Sequence, residues 1–230
     1  MITTNLRDRA YNALNLRQYS ELNVVDELGP LNLVVPSERQ YVLRILIKRT
    51  FGEFQIPTEL EWVRPFINTT KAHQDRIGVK QPFVYLTVRN GLVESVTDDE
   101  WHVDGFSQTI THLPEQNYLW TDVLPTEYIE KTFNFPDNFD SAKHNVHDFF
   151  QRRITTDEVL TMKAKNVYGF DPYVIHRRPK ISAGTQRCFL RVSYTPIEIE
   201  DINNTFNDLL PTAYVRDGVK AFRDKLVSYD

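Results

Sequence analysis

A single cysteine, Cys188, in 230 residues rules out an internal disulfide and a Cys-rich zinc site. An excess of basic charge is missing too: 27 lysines and arginines stand against 31 acidic residues, for a net charge of −4. That balance gives no electrostatic reason to grip a phosphate backbone, so nucleic acid is disfavoured as a partner. No apolar run approaches the ~20 residues of a membrane-spanning helix. The opening MITTNLRDRAYNAL carries no hydrophobic signal core. A cytoplasmic protein with no membrane partner is the expectation. Internal repeats, low-complexity stretches and Gly/Ser-rich linkers are also lacking, which points to one domain over residues 1–230.

What is present is enough apolar and aromatic material for a sizeable core, 41% and 12% of the chain. PSERQYVLRILIKRTFGE pairs Ser37 with Gln40 in a capping-box pattern and has Gly52 as a stop. The pattern favours a helix, with the β-branched content keeping a strand open. TELEWVRPFINTTKAHQDRIG repeats the pattern with Thr58 and Glu61, and Pro65 should kink or interrupt that helix. From residue 82 the period changes to two. PFVYLTVRNGLVESV reads as two strands joined at Asn90-Gly91. EWHVDGFS reads as the next strand, ending at Gly105. A helical insertion is expected over about 125–153, with an Asp140 cap before HNVHDFFQRR. Strand character returns in EVLTMKAKNVYGF, PYVIHRR and TQRCFLRVSYTPIEI, and GVKAFRDKLVSY suggests a terminal helix. Many short strands without regular βαβ alternation predict a mainly β fold with flanking helices, a helical N-terminal region and a sandwich or jelly-roll core.

Without cysteine, a metal site must draw on six histidines and on carboxylates. His102 and Asp104, two apart on an extended segment, share one face. His176, in a strand-like context, offers a third ligand. Two histidines and one carboxylate leave three octahedral positions open, the arrangement associated with non-haem Fe(II) oxygenases. The plainer reading of His102 and Asp104 is a hydrogen-bonded pair at a turn. Arg187 and Arg191 lie 11 and 15 residues beyond His176. Period two puts Arg187, Phe189, Arg191 and Ser193 on one face and Cys188, Leu190, Val192 and Tyr194 on the other. Two guanidiniums among strand hydrophobes are costly to bury without anions, so that face is either solvated or binds carboxylates. His144 and His147 read as a solvent-facing helical pair, and the chain lacks a His-Glu-x-x-His signature. His112 is a competing third ligand without arginines after it, His73 belongs to no cluster, and Cys188 reads as a buried small hydrophobe.

In this order and spacing, His102-x-Asp104, His176 and the arginines followed by Ser193 resemble the Fe(II)/2-oxoglutarate-dependent dioxygenase superfamily over roughly residues 82–198. The resemblance implies a double-stranded β-helix (jelly-roll or cupin-like) core there. It implies Fe(II) held by His102, Asp104 and His176, with 2-oxoglutarate and O2 as co-substrates. The 2-oxoglutarate distal carboxylate would meet Arg187 or Arg191, with Ser193 beside the latter. Gln116 and Asn117 enter as co-substrate contacts on the same ground. No catalytic residues beyond the metal ligands are implied. The outcome would be hydroxylation, or another oxidation, of a small molecule, with 2-oxoglutarate decarboxylated to succinate. Asp104 keeps the carboxylate that halogenating members lack. Trp101, Phe106, Tyr118, Trp120 and Tyr85 are candidate walls of a substrate pocket. Two alternatives stay open: a cupin-like metal enzyme without 2-oxoglutarate, and a non-catalytic jelly-roll binding module.

Overall fold

The structure, a computed structural model, describes residues 25–50, 52–78, 80–93, 100–104, 115–131, 133, 136, 138–139, 144–170, 174–196, 198–199, 201 and 203–210. Its strands are β1 (Val25–Pro30), β2 (Gln40–Lys48), β3 (Phe83–Leu92), β4 (Gln116–Thr121), β5 (Glu127–Ile129), β6 (Leu160–Thr161), β7 (Asn166–Phe170), β8 (Ile175–Arg177) and β9 (Gln186–Thr195). They form two antiparallel sheets in a jelly-roll-like core: a major sheet in the order β1-β7-β4-β9-β3-β2 and a minor one in the order β6-β5-β8. A 3-10 turn, Thr58–Val63, leads into α1 (Arg64–Ile77), and α2 (Val146–Gln151) is short. No helix among the described residues is long and apolar enough to cross a membrane.

β9 organises the molecule. It pairs with β3 along all of its length, from Phe83↔Thr195 to Leu92↔Gln186, and with β4 on its other edge. Cys188, Leu190, Val192 and Tyr194 join Val84, Leu86 and Val88 in the main core, against Phe66 and Ile67 of α1. Each large aliphatic side chain fully buried there contributes about 1.5–3 kcal/mol. Gly78, at φ 71°, ends α1 in the left-handed conformation that glycine adopts without steric cost. A second apolar cluster joins the minor sheet to α2, with Phe149 and Phe150 on Ile129, Ile175, Trp101 and Val103.

Several sequence expectations change. Residues 40–48 form β2, not a helix. The Gln40 side chain, instead of capping, donates to the Glu59 carbonyl at 2.9 Å and accepts from Trp62 Nε1 at 2.9 Å. The second capping pattern is also silent, because Glu61 turns to Arg64 at 2.6 Å. Pro65 marks a start rather than a kink, lying in the first turn of α1 where the missing N–H costs nothing. β3 runs straight through Asn90-Gly91. There Asn90 Nδ2 holds the Pro36 and Glu38 carbonyls at 2.8 and 2.9 Å, and a side chain at Gly91 would meet Arg39. The dipeptide therefore serves a close backbone approach, not a hairpin turn. Within 125–153, Glu127–Ile129 is a strand, and among the described residues the α-helix covers Val146–Gln151, capped by Asn145. Asp140, the segment from Gly105 to His112 and the terminal 218–229 stretch lie outside the described residues.

Candidate metal centre

His102, Asp104 and His176 come together from two chain segments. His102 N donates to the His176 carbonyl at 3.0 Å, and His176 N returns the bond at 2.9 Å. This reciprocal bridge sets the two imidazoles 4.4 Å apart, centroid to centroid. One ligand atom from each of His102, Asp104 and His176 lies within 4.8 Å of the others. The imidazole Nδ1 atoms contact backbone carbonyls, His102 to Glu100 at 2.8 Å and His176 to Val174 at 2.9 Å. A carbonyl only accepts, so both Nδ1 atoms carry the proton. Both Nε2 lone pairs are then available to a metal, the usual orientation of histidine ligands.

Asp104 is fixed just as closely. Arg191 Nη1 donates to Oδ1 at 2.9 Å and Asn117 Nδ2 to Oδ2 at 3.0 Å, while His176 Nε2 lies 3.7 Å from Oδ2. Burial pushes the Asp104 carboxyl up, but the charges of Arg191, His176, His102 and Arg44 outweigh it and hold the group well below the usual carboxylate range. Burial, with the neighbouring His102, pushes His176 down to about 4, so it stays neutral. A neutral imidazole and an ionised carboxylate are the states a metal needs.

The site opens on a cavity of about 140 Å³ lined by residues of both sheets. Arg187, Phe189 and Arg191 of β9 face it, as do Thr87 and Arg89 of β3. Arg187 is 7% exposed, donates Nε to the carbonyls of Val123 and Leu124, and leaves Nη2 buried without a hydrogen bond. Burial, then the charge of Arg178, pushes its pKa down to about 10.

Other candidates fall elsewhere. Ser193 Oγ donates to Asn117 Oδ1, and Asn117 also reaches Glu115 Oε1 at 3.2 Å, so both residues brace Asp104. Gln116 alternates to the opposite face of β4, with Tyr118 and Trp120. Those two aromatics belong to the main core: the Tyr118 hydroxyl meets Gln74 and His73, and Trp120 Nε1 donates to the Leu31 carbonyl at 2.9 Å. Tyr85 is buried with Leu46 and Ile199, its hydroxyl accepting from Ile199 N at 2.7 Å. Trp101 is buried against α2, with the Arg177 guanidinium 4.3 Å from its ring. None of Tyr85, Trp101, Tyr118 and Trp120 lines the cavity: alternation turns Tyr118 and Trp120 to the other face of β4, Tyr85 shares the Thr87 and Arg89 face of β3 but packs on Leu46 and Ile199, and Trp101, outside any strand, packs against α2. Phe106 and His112 lie outside the described residues. Cys188 is buried, its thiol pushed up to about 12 by that burial.

Sequence reasoning missed Arg89 and Arg178 as lining residues. The signal was available, since Arg178 is two past His176, and Thr87 and Arg89 share a β3 face. It also set His147 in solvent, whereas its ring is 6.1 Å from that of His102.

No family model matches the chain, and no curated protein does. Similar solved structures include AviO1 from Streptomyces viridochromogenes Tue57, at 15% identity over 84% of this chain and 85% of that one, with a TM-score of 0.36. EvdO2 from Micromonospora carbonacea var. aurantiaca, complexed with 2-oxoglutarate, is 9% identical over 84% of this chain and 83% of that one, at 0.34. HygX from Streptomyces hygroscopicus with iron bound is 14% identical over 77% of this chain and 93% of that one, at 0.30. Likenesses this faint leave function to the geometry of the chain itself.

Proposed function

We propose that the chain is a non-haem Fe(II)/2-oxoglutarate-dependent oxygenase that hydroxylates, or otherwise oxidises, a small molecule. The observation that supports this is one cavity with both required ends. His102 and His176 of the ligand cluster line it, and so does Arg187, whose Nη2 is buried and unbonded.

The donors fit the metal. Two Nε2 lone pairs and one carboxylate, with no thiolate, make the facial set of a non-haem iron and leave positions for a chelating co-substrate. Asp104 accepts one hydrogen bond on each oxygen, and a carboxylate oxygen has a second lone pair to offer. Bound there, Fe(II) would supply the dioxygen chemistry that couples 2-oxoglutarate decarboxylation to substrate oxidation.

The protein's own contribution is placement and charge. His102 and His176 hold their proton on Nδ1, so each presents one fixed lone pair. Arg191 and Asn117 keep Asp104 ionised and aimed. Arg187 would take the distal carboxylate of 2-oxoglutarate, which supplies the partner its Nη2 lacks. Arg191, engaged with Asp104, is the weaker candidate for that role. Leu119 and Phe189 form apolar walls that help to exclude water. The carboxylate of Asp104 favours hydroxylation over halogenation.

Anaerobic titration of the metal-free protein with Fe(II) and then 2-oxoglutarate tests the reading. A weak visible charge-transfer band is expected in the wild type and not in His102→Ala. No band and no retained iron would sink it.

A further inference from the structure

A second carboxylate is buried beside the metal centre without being one of its ligands. Glu115 is 8% exposed and stands outside the cluster of His102, Asp104 and His176. Among the described residues it meets Asn117 Nδ2 at 3.2 Å and Arg44 Nη2 at 3.7 Å. Asn117 is fully buried, and its amide is engaged at both ends. Oδ1 accepts from Ser193 Oγ, while Nδ2 donates to Asp104 Oδ2 at 3.0 Å and to Glu115 Oε1. A primary amide has two N–H donors, one for each carboxylate. Turned over, it would set its carbonyl against both, acceptor against acceptor. Glu115 therefore adds to the cost of the wrong orientation.

Arg44 reaches this place from β2 because of a bulge. Val42 pairs with Val88 and Ile45 with Leu86, so Leu43 and Arg44 together stand opposite Thr87. The extra residue lets Val42 and Ile45 both pack on the main core and sends Arg44 to the metal side. Arg44 holds φ 44°, a left-handed conformation that a residue with a side chain keeps only where its surroundings impose it. Its N–H, drawn out of the strand ladder, donates to Thr87 Oγ1 at 3.2 Å. We infer that Glu115 and Arg44 are positioning residues for the metal carboxylate. Glu115 fixes the Asn117 amide that aims Asp104, and Arg44 supplies the counter-charge that Glu115 needs where it is buried. The charge of Arg44 is also among those that hold the Asp104 carboxyl low. Both residues act through others and touch neither metal nor substrate. The inference rests on the reading of His102, Asp104 and His176 as metal ligands, and not on 2-oxoglutarate.

Titration of the metal-free full chain with Co(II), read by its visible d–d absorbance, tests the inference. Glu115→Leu keeps bulk but accepts nothing, and should bind Co(II) at least about tenfold more weakly than the wild type. Glu115→Gln keeps an acceptor oxygen and should stay within about threefold. Arg44→Met should weaken binding about fivefold, and Arg44→Lys should restore most of it. Ile67→Ala, in the main core on the other face of the major sheet, is the control for lost stability. It should bind Co(II) as the wild type does, even with a lower Tm. Wild-type affinity in Glu115→Leu overturns the inference. So does a loss that Ile67→Ala reproduces at the same fall in Tm, since Glu115 would then only support the fold. A loss that Glu115→Gln does not rescue overturns it too, because the acceptor role would be wrong. Failure of the ligand assignment is separately visible: a wild type without Co(II) bands removes that assignment and the inference with it. Bands in the wild type with an unchanged Glu115→Leu remove the positioning alone.

Discussion

Two buried histidines lie on opposite faces of the major sheet, each with an aspartate at nearly the same distance. His73 Nε2 is 3.5 Å from Asp26 on the α1 side, and His176 Nε2 is 3.7 Å from Asp104 on the cavity side. Burial lowers the pKa of both. The hydrogen bonds at Nδ1 separate them. Gln74 donates to the Tyr118 hydroxyl, whose own proton goes to His73 Nδ1, so His73 carries its hydrogen on Nε2, towards Asp26. His176 carries its hydrogen on Nδ1, held by a carbonyl, and turns a bare Nε2 towards Asp104 and His102. A histidine beside an aspartate is therefore a weak signal. The tautomer and the converging third ligand distinguish a metal centre from a structural contact.

The sharpest way to break the comparison is to exchange the two histidines' fates. His176→Ala should abolish Fe(II) retention and iron-dependent turnover. His73→Ala should retain iron and lose about 1–3 kcal/mol of stability, as the buried Tyr118 hydroxyl loses a partner. Iron loss in His73→Ala, read by metal analysis of the folded protein, would erase the distinction.

Acid should act on both faces in the same direction. Each imidazole has a folded pKa below its ordinary 6.5, so the unfolded chain binds a proton that the folded one refuses. Stability of the metal-free protein therefore falls as pH drops below 6.5, for His176 until about 4. The His176 contribution is roughly 3 kcal/mol at most. Asp104, held low, adds a further loss at still lower pH. Urea midpoints measured across this range should slope less in His176→Ala than in the wild type.

Smaller effects sharpen the picture. Asn117→Ala removes a donor to Asp104 and the acceptor for Ser193, and should weaken metal binding about 10- to 100-fold with the fold retained. On the other face, Asp26→Asn should change stability by less than about 1 kcal/mol, because that carboxylate is half-exposed, and should leave metal affinity unaltered.

The sequence made β9 legible because a half-buried strand alternates, and its two faces differ in chemistry: Cys188, Leu190, Val192 and Tyr194 against Arg187, Phe189, Arg191 and Ser193. The meeting of His102, Asp104 and His176 followed from residue type and order. β2 was not legible, because its capping residues have other tasks: Gln40 pins the 3-10 turn across 22 positions through Trp62. The aromatic walls misled for a related reason. Being near a ligand in sequence does not fix which face a side chain takes, and Tyr118, one residue from Asn117, faces the helix. The arginines at positions 89 and 178 were hidden among ordinary strand and loop charges until the sheets placed them around one space.

The reciprocal backbone bonds between His102 and His176 also set an order of events. The three clustered side chains come from segments that the chain makes far apart in time, and Arg191, which holds Asp104, comes later still. A growing chain that has passed Asp104 owns two of the three donors but nothing to close them against. The three donors are complete only once His176 is made, and Asp104 gains its Arg191 partner only when β9 follows and pairs.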